Sequence, residues 1–229
     1  MKMANLTQLK ILEGLDGFLL VDKPVNIPFA SVIKTVKRMF GLVKVGHGGS
    51  LDAQSSGLMV LLIGDANKFT DQVMGGDREY EGTLDFSYVT NTGDSQGEKS
   101  KTEVEQRNMD LSQFKGDVFQ TEPKFAAIRK EGTAEYEVVD TGEHKQFLGH
   151  VYKLELEDGV GERKFFLRAT KNVLPRALAL DMGATLTSLR RIKQWKFELK
   201  DAVPFDRILN TSPADFASLV LPVGAALRA

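Results

Sequence analysis

The 229-residue chain has no cysteine at all. Disulfides, thiolate nucleophiles and thiolate metal sites are therefore excluded, and such a composition suits a reducing cytoplasm. Histidine is scarce too: His47, His144 and His150 are the whole complement, and none stands at metal-ligand spacing from another. No metal is expected. The N-terminal Met1-Lys2-Met3-Ala4-Asn5-Leu6 lacks a continuous apolar core, and no later run reaches the length of a membrane span. A cytoplasmic chain with no membrane contact is the expectation. There is no G-x-S-x-G elbow. The segment from Gly41 to Gly48 has the frame of a P-loop, but His47 and Gly48 stand where its Lys and Ser/Thr belong. Without those groups there is nothing to hold phosphate and magnesium, so no nucleotide cofactor is expected.

Net charge is also nearly missing, at −1, yet it is unevenly spread. Residues 31–70 carry five Lys/Arg against two acids, and residues 160–200 carry ten against three. Residues 71–160 carry ten against twenty. A chain built this way can present a basic face to nucleic acid while staying neutral as a whole. Apolar content of 42% and charged content of 27% are those of a globular protein with a sizeable core.

Along the chain, Gly17-Phe18-Leu19-Leu20-Val21 is a short continuous apolar run, read as a buried strand. Ser31 is expected to open a helix with Val32, Ile33, Val36, Met39 and Phe40 on one face and Lys34, Lys37 and Arg38 on the other. A strand over 58–63 and a helix over 64–74 follow. From Tyr80 the pattern alternates: Tyr80, Gly82, Leu84, Phe86 and Tyr88 share one face, with Glu81, Thr83, Asp85 and Ser87 opposite. Residues 90–101 read as a mobile polar insertion. A short helix over 110–115, a strand over 125–130 and a hairpin turning at Asp158-Gly159-Val160-Gly161 are expected. So are a helix over 172–182 with Pro175 in its first turn, a basic strand over 188–199 and a closing helix over 213–221. No linker or repeat divides the chain. The expectation is one α+β domain over residues 1–229, built on a mixed, largely antiparallel sheet flanked by helices.

Between the first helix and strand 58–63 lies Gly46-His47-Gly48-Gly49-Ser50-Leu51-Asp52-Ala53-Gln54-Ser55-Ser56-Gly57. Four glycines in twelve residues allow unusual backbone angles and close approach by another molecule. A carboxylate on such a turn is either a cap for a neighbouring amide or a reactive group. With P-loop, metal and elbow chemistry removed, a cofactor-free site around Asp52 remains, with Tyr80, His47 and a basic surface as company. A pair of glycosidase carboxylates stays open on spacing alone.

Several segments carry a resemblance. They begin with Gly17-Phe18-Leu19-Leu20-Val21-Asp22-Lys23-Pro24 and Val45-Gly46-His47-Gly48-Gly49-Ser50-Leu51-Asp52. Ser56-Gly57-Leu58 and Gly64-Asp65-Ala66-Asn67-Lys68-Phe69 continue in register. Arg78-Glu79-Tyr80, Thr90-Asn91-Thr92-Gly93-Asp94-Ser95-Gln96-Gly97 and the block from Phe114 to Gly132 follow. The stretch from Lys171 to Gly183, with Arg176, and Leu189-Arg190-Arg191 complete the set. In this order they resemble the catalytic domain of the tRNA pseudouridine synthase B (TruB) family, over roughly residues 15 to 225.

The resemblance implies the pseudouridine synthase fold and an isomerase that converts a uridine in the TψC loop of tRNA, uridine-55, to pseudouridine without a cofactor. It implies Asp52 as the catalytic aspartate, Arg176 as its pairing arginine and Tyr80 as the tyrosine packed on the target base. His47 is the implied holder of the everted RNA loop, and Lys23 and Lys68 support the site or contact RNA. Arg190 and Arg191, with other basic residues, would hold phosphates. Departures are present: Ala53 replaces the family's proline, Ser55-Ser56-Gly57 its A-T-G, and Leu174 an aromatic. The chain is expected to lack the family's C-terminal RNA-binding (PUA) domain and to act as a monomer on the tRNA TψC stem-loop. The competing readings are a catalytically weak RNA-binding or tRNA-folding protein of the same fold, and a glycoside or nucleoside hydrolase.

Overall fold

The computed structural model describes residues 12, 14–101, 109–121, 125–130, 133–138 and 146–228. The N-terminal hexapeptide, Pro123, Glu131, Gly132 and His144 fall outside them. The chain forms two compact units, one from residues 1–76 with 191–229 and the other from residues 77–190.

The first unit opens with β1 (Gly17–Lys23), buried at every position but Asp22. Its unbroken apolar run has a physical cause, because both faces are covered. Leu19 and Val21 pack with Val32, Val36 and Phe40, while Phe18 and Leu20 pack with Phe197 and Ala226. The first helix, α1 (Phe29–Met39), starts two residues before the expected Ser31, with Pro28 at its N-cap and no side-chain cap. Val32 and Val36 face inward, and Lys34, Lys37 and Arg38 are exposed. Next come β2 (Val45–His47) and β3 (Ser56–Ile63), both in antiparallel pairing, β3 running from Gly17↔Ile63 to Lys23↔Gly57 against β1. The expected helix over 64–74 divides into a 3₁₀ turn, Gly64–Phe69, and α2 (Thr70–Gly75). The Asn67 amide donates to the carbonyls of Leu62 and Gly64, which holds that turn tight.

The second unit begins with β4 (Arg78–Asp85), where Tyr80 and Leu84 are buried and Glu81 is exposed, as alternation requires. Residues 90–101 are not a loose insertion. They belong to an antiparallel hairpin of β5 (Tyr88–Thr90) and β6 (Lys99–Lys101), with Thr90, Thr92 and Asp94 buried at 2–5% exposure. Polarity misled the reading here, because these side chains are satisfied by one another and by the turn backbone. A 3₁₀ turn, Leu111–Phe114, capped by Asp110, leads to β7 (Gly116–Thr121). A hairpin of β8 (Phe125–Lys130) and β9 (Thr133–Val138) follows. Then come β10 (Gln146–Leu156) and β11 (Glu162–Ala169), and the order within this unit is β4-β11-β10-β7, antiparallel throughout. Helix α3 (Pro175–Asp181) starts later than expected. Leu174 precedes a proline and is held extended at ψ 112°, so the helix cannot begin before it.

Strand β12 (Thr185–Gln194) carries the chain from the second unit into the first at Arg190–Arg191. The expected strand over 188–199 is in fact two strands. After Gln194 the chain turns through Trp195-Lys196 into β13 (Phe197–Glu198). Trp195 sits at φ +54°, a costly conformation for a bulky residue, so the sequence carries no turn signal there. The first unit closes with β14 (Val203–Pro204), α4 (Phe205–Leu209), α5 (Pro213–Phe216), β15 (Leu221–Pro222) and α6 (Val223–Arg228). Strand β14 runs parallel to β1 and β15 antiparallel, so the sheet is mixed. The ring of Phe216 stacks on Phe40 at 3.7 Å, tying α5 to the end of α1.

Candidate active site

In the first unit the Asp52 turn hangs between β2 and β3. Its entry is fixed by the Gly48 amide, which donates to Val60 at 2.8 Å, and its exit by the Ser55 amide, which donates to the Asp52 carbonyl at 3.1 Å. Gly49 adopts φ +139°, which a side chain would strain. At Gly46 and Gly48 the expectation of room for another molecule does not hold. A Cβ at Gly46 would run into the Asn67 amide, and one at Gly48 into Val73. Those two glycines serve the protein's own packing.

Lys23, placed by the D-K-P turn, is fully buried and donates to three carbonyls: Pro24 and Ile27 at 2.8 Å and Ala53 at 3.2 Å. The Asn26 amide donates to the same Ala53 carbonyl at 2.7 Å. Burial pushes the Lys23 ammonium down to about 8; the Asp52 carboxylate opposes that shift, and the Arg191 guanidinium adds to it. Arg191 is 1% exposed, and its guanidinium donates to Leu58 at 2.7 Å, Ser50 at 3.1 Å and Gly49 at 3.5 Å. Its expected place on RNA phosphates is thus not the place it occupies; its donors are turned to the chain's own carbonyls. Gln194, buried on the same strand, donates to Val73 at 3.1 Å and to Gly48.

His47 is half-buried with its ring edge toward Phe29 at 5.2 Å. Its Nδ1 accepts the Gly49 amide at 3.1 Å, so the neutral ring carries its proton on Nε2. Burial, and secondarily the Arg191 charge, pulls the imidazole below its usual value. Lys68 lies exposed on the 3₁₀ turn and pairs with Asp65 at 2.6 Å, which raises its affinity for the proton.

In the second unit, Tyr80 is 5% exposed on β4, packed in the cluster with Leu84, Leu167, Leu178 and Met182. Arg176 occupies the second position of α3. Its Nη1 donates to Thr92 at 3.2 Å, and its Nε lies 4.0 Å from the Asp94 carboxylate. Asp94 in turn accepts the Thr92 hydroxyl at 2.7 Å and the Gln96 amide at 3.0 Å. The start of α3 is fixed by Gln120, whose side chain accepts the Leu174 amide at 2.8 Å and faces the Leu174 carbonyl at 3.5 Å. Arg190 is half-buried at the end of this unit.

Sequence reading missed Asp94, Gln120 and Gln194. Asp94 stood among polar turn residues with nothing to mark it as buried. Gln120 and Gln194 are single amides whose partners lie 54 and 146 residues away in the chain, beyond any local pattern. Among the described residues no cluster of His, Cys, Asp and Glu has the arrangement of a metal site.

Residues 37–162 match the family described as TruB family pseudouridylate synthase (N terminal domain). A tRNA pseudouridine synthase B of Opitutus terrae is 34% identical over 226 residues, 91% of this chain and 93% of that protein. One of Aquifex aeolicus is 32% identical over 232 residues, 93% of this chain and 80% of that protein. A chain in the crystal structure of a Cbf5-Nop10-Gar1 complex superposes with a TM-score of 0.67 at 17% identity, covering 95% of this chain and 63% of that one. That similarity shows the pseudouridine synthase fold, and together with the sequence matches it establishes that this chain belongs to the TruB family of pseudouridylate synthases.

Proposed function

We propose that the protein isomerises uridine-55 in the TψC loop of tRNA to pseudouridine, with Asp52 as the reacting carboxylate. The supporting observation is the Asp52 turn itself, where two buried cations and three backbone amides hold the main chain on both sides of one half-buried carboxylate. A cap on a flexible turn requires no such support. The relatives named tRNA pseudouridine synthase B support tRNA as the substrate.

In this reading the target uridine is extruded from its loop, at a cost of ~a few kcal/mol, before reaction. The bond from C1′ to N1 breaks, the uracil turns within the site, and C5 bonds to C1′. N1 gains a proton and C5 loses one, so the reaction is balanced without any cofactor. Tyr80 packs on the base and accepts the C5 proton. Arg176 takes the role of the family's active-site arginine, with Asp94 and Thr92 holding its guanidinium. His47 presents its Nε2 proton to the everted loop, and Lys68 and Arg190 contact phosphates.

Unmodified tRNA incubated with the protein and then mapped for pseudouridine tests this. The expected result is conversion in the TψC loop that disappears with Asp52→Asn. Tight binding without conversion sinks the reading in favour of a non-catalytic binder. Release of free uracil sinks it in favour of a hydrolase.

A further inference from the structure

Arg191 is among the largest fully buried side chains of the described residues, and it donates to three carbonyls of one loop and its outgoing strand. Gly49 and Ser50 lead into Asp52, and Leu58 begins the apolar part of β3 that leads away from it. The remaining side of the turn, the Ala53 carbonyl, is taken by Lys23 and by the Asn26 amide. A guanidinium is a rigid planar fork of five donors. Three carbonyls from two stretches of chain can meet that fork in only one relative arrangement, so the fork sets the spacing between the turn's entry and its exit.

We propose that Arg191 is a positioning residue for Asp52, acting through the backbone of the turn rather than through RNA. This rests on the reading of Asp52 as the reacting carboxylate. A buried guanidinium costs free energy unless its donors are met, and an apolar residue of the same volume would pack that position at lower cost. What the apolar residue would lose is the fixed geometry. At 1% exposure Arg191 has almost no surface to offer a phosphate. Its charge also acts on both flanks of the turn, depressing proton affinity at His47 and at Lys23. Gln194, three residues on, pins Gly48 and Val73 in the same way, so β12 supports the turn at two places.

The test compares wild type, Arg191→Lys, Arg191→Met and Asp52→Asn. It measures the single-turnover rate of pseudouridine formation at saturating unmodified tRNA, the Kd for that tRNA, and the melting temperature. Arg191→Lys keeps a charge but replaces the fork with a point donor. It is expected to fold, to bind tRNA within about threefold of wild type, and to lose ~10²-fold in saturating rate, the scale expected for a misplaced reacting group. Arg191→Met is expected to lose at least as much rate; if it does not fold, Arg191→Lys decides. A wild-type saturating rate in Arg191→Lys overturns the proposal, and so does a loss confined to Kd, which would return Arg191 to the RNA. Full conversion by Asp52→Asn overturns the underlying reading of the site, whereas an inert Asp52→Asn beside an unimpaired Arg191→Lys overturns only the role of Arg191.

Discussion

The ammonium of Lys23 donates to the carbonyl of Ala53 at 3.2 Å, joining the D-K-P turn to the residue that follows Asp52, thirty positions later in the chain. Lys23→Met would remove that donor from the Pro24 and Ile27 carbonyls, while the Ala53 carbonyl keeps the Asn26 amide. An expected loss of ~2–4 kcal/mol follows from the ~1–3 kcal/mol cost of each buried unmet group, partly relieved by burying a methyl instead of a charge. Urea unfolding measures it, and a variant as stable as wild type would show these bonds to be dispensable.

The same lysine gives a pH dependence. Its proton affinity falls from the ordinary 10.5 to about 8 in the folded chain. Below about pH 8 both folded and unfolded forms carry the proton, and the burial penalty is fully present. Between about 8 and 10.5 the folded form sheds its proton first, so the Lys23 contribution to stability rises with pH there. The slope is at most ~1.4 kcal/mol per pH unit. Wild type minus Lys23→Met, measured by urea unfolding from pH 7 to 10.5, should grow on the alkaline side. A flat difference would contradict the shift.

Asp94→Asn keeps an oxygen for the Thr92 hydroxyl and the Gln96 amide while removing the charge beside Arg176. The variant should melt close to wild type and convert tRNA ~10²-fold more slowly, the cost of a mispositioned group. Single-turnover rates check it; an unchanged rate would leave Asp94 with a purely architectural role.

Tyr80 separates packing from chemistry. Tyr80→Phe keeps the buried ring and should change stability by less than ~1.5 kcal/mol, as volume-conserving changes do. Tyr80→Ala should cost ~3–5 kcal/mol, as loss of a core aromatic does. If the phenol accepts a proton, Tyr80→Phe should bind tRNA normally and lose turnover. Normal turnover would reduce Tyr80 to a wall of the site.

Lys34, Lys37 and Arg38 are exposed on α1. If they neutralise phosphates, changing all three to Ala should flatten the slope of log K against log salt by ~2–3 and leave the melting temperature unchanged. An unaltered slope would remove α1 from the RNA interface.

The parts of the fold legible in the sequence were those in which each residue announces its own side. Phe18 to Val21 read as buried because both faces of β1 are covered, and Tyr80 to Leu84 read as a strand because only one face is. Asp52 and Arg176 are singled out by motif order alone, as expectations. What stayed hidden depends on pairing across long separations. Arg191 looked like one more surface cation, since nothing local says that its partners are carbonyls 133 to 142 residues away. Trp195 hid a turn because its conformation is one that bulky residues seldom adopt.

The chain leaves the first unit after Gly76 and returns to it at Arg191. During synthesis, then, the turn that carries Asp52 is made early but cannot be completed until more than half of the chain has followed it. The whole second unit must be synthesised before the guanidinium that ties down Gly49 and Ser50 exists. Long-range closure of this kind is slow. A nascent chain stalled anywhere before residue 191 therefore carries the aspartate in a turn held on one side by Lys23 and Asn26 but not yet on the other by Arg191.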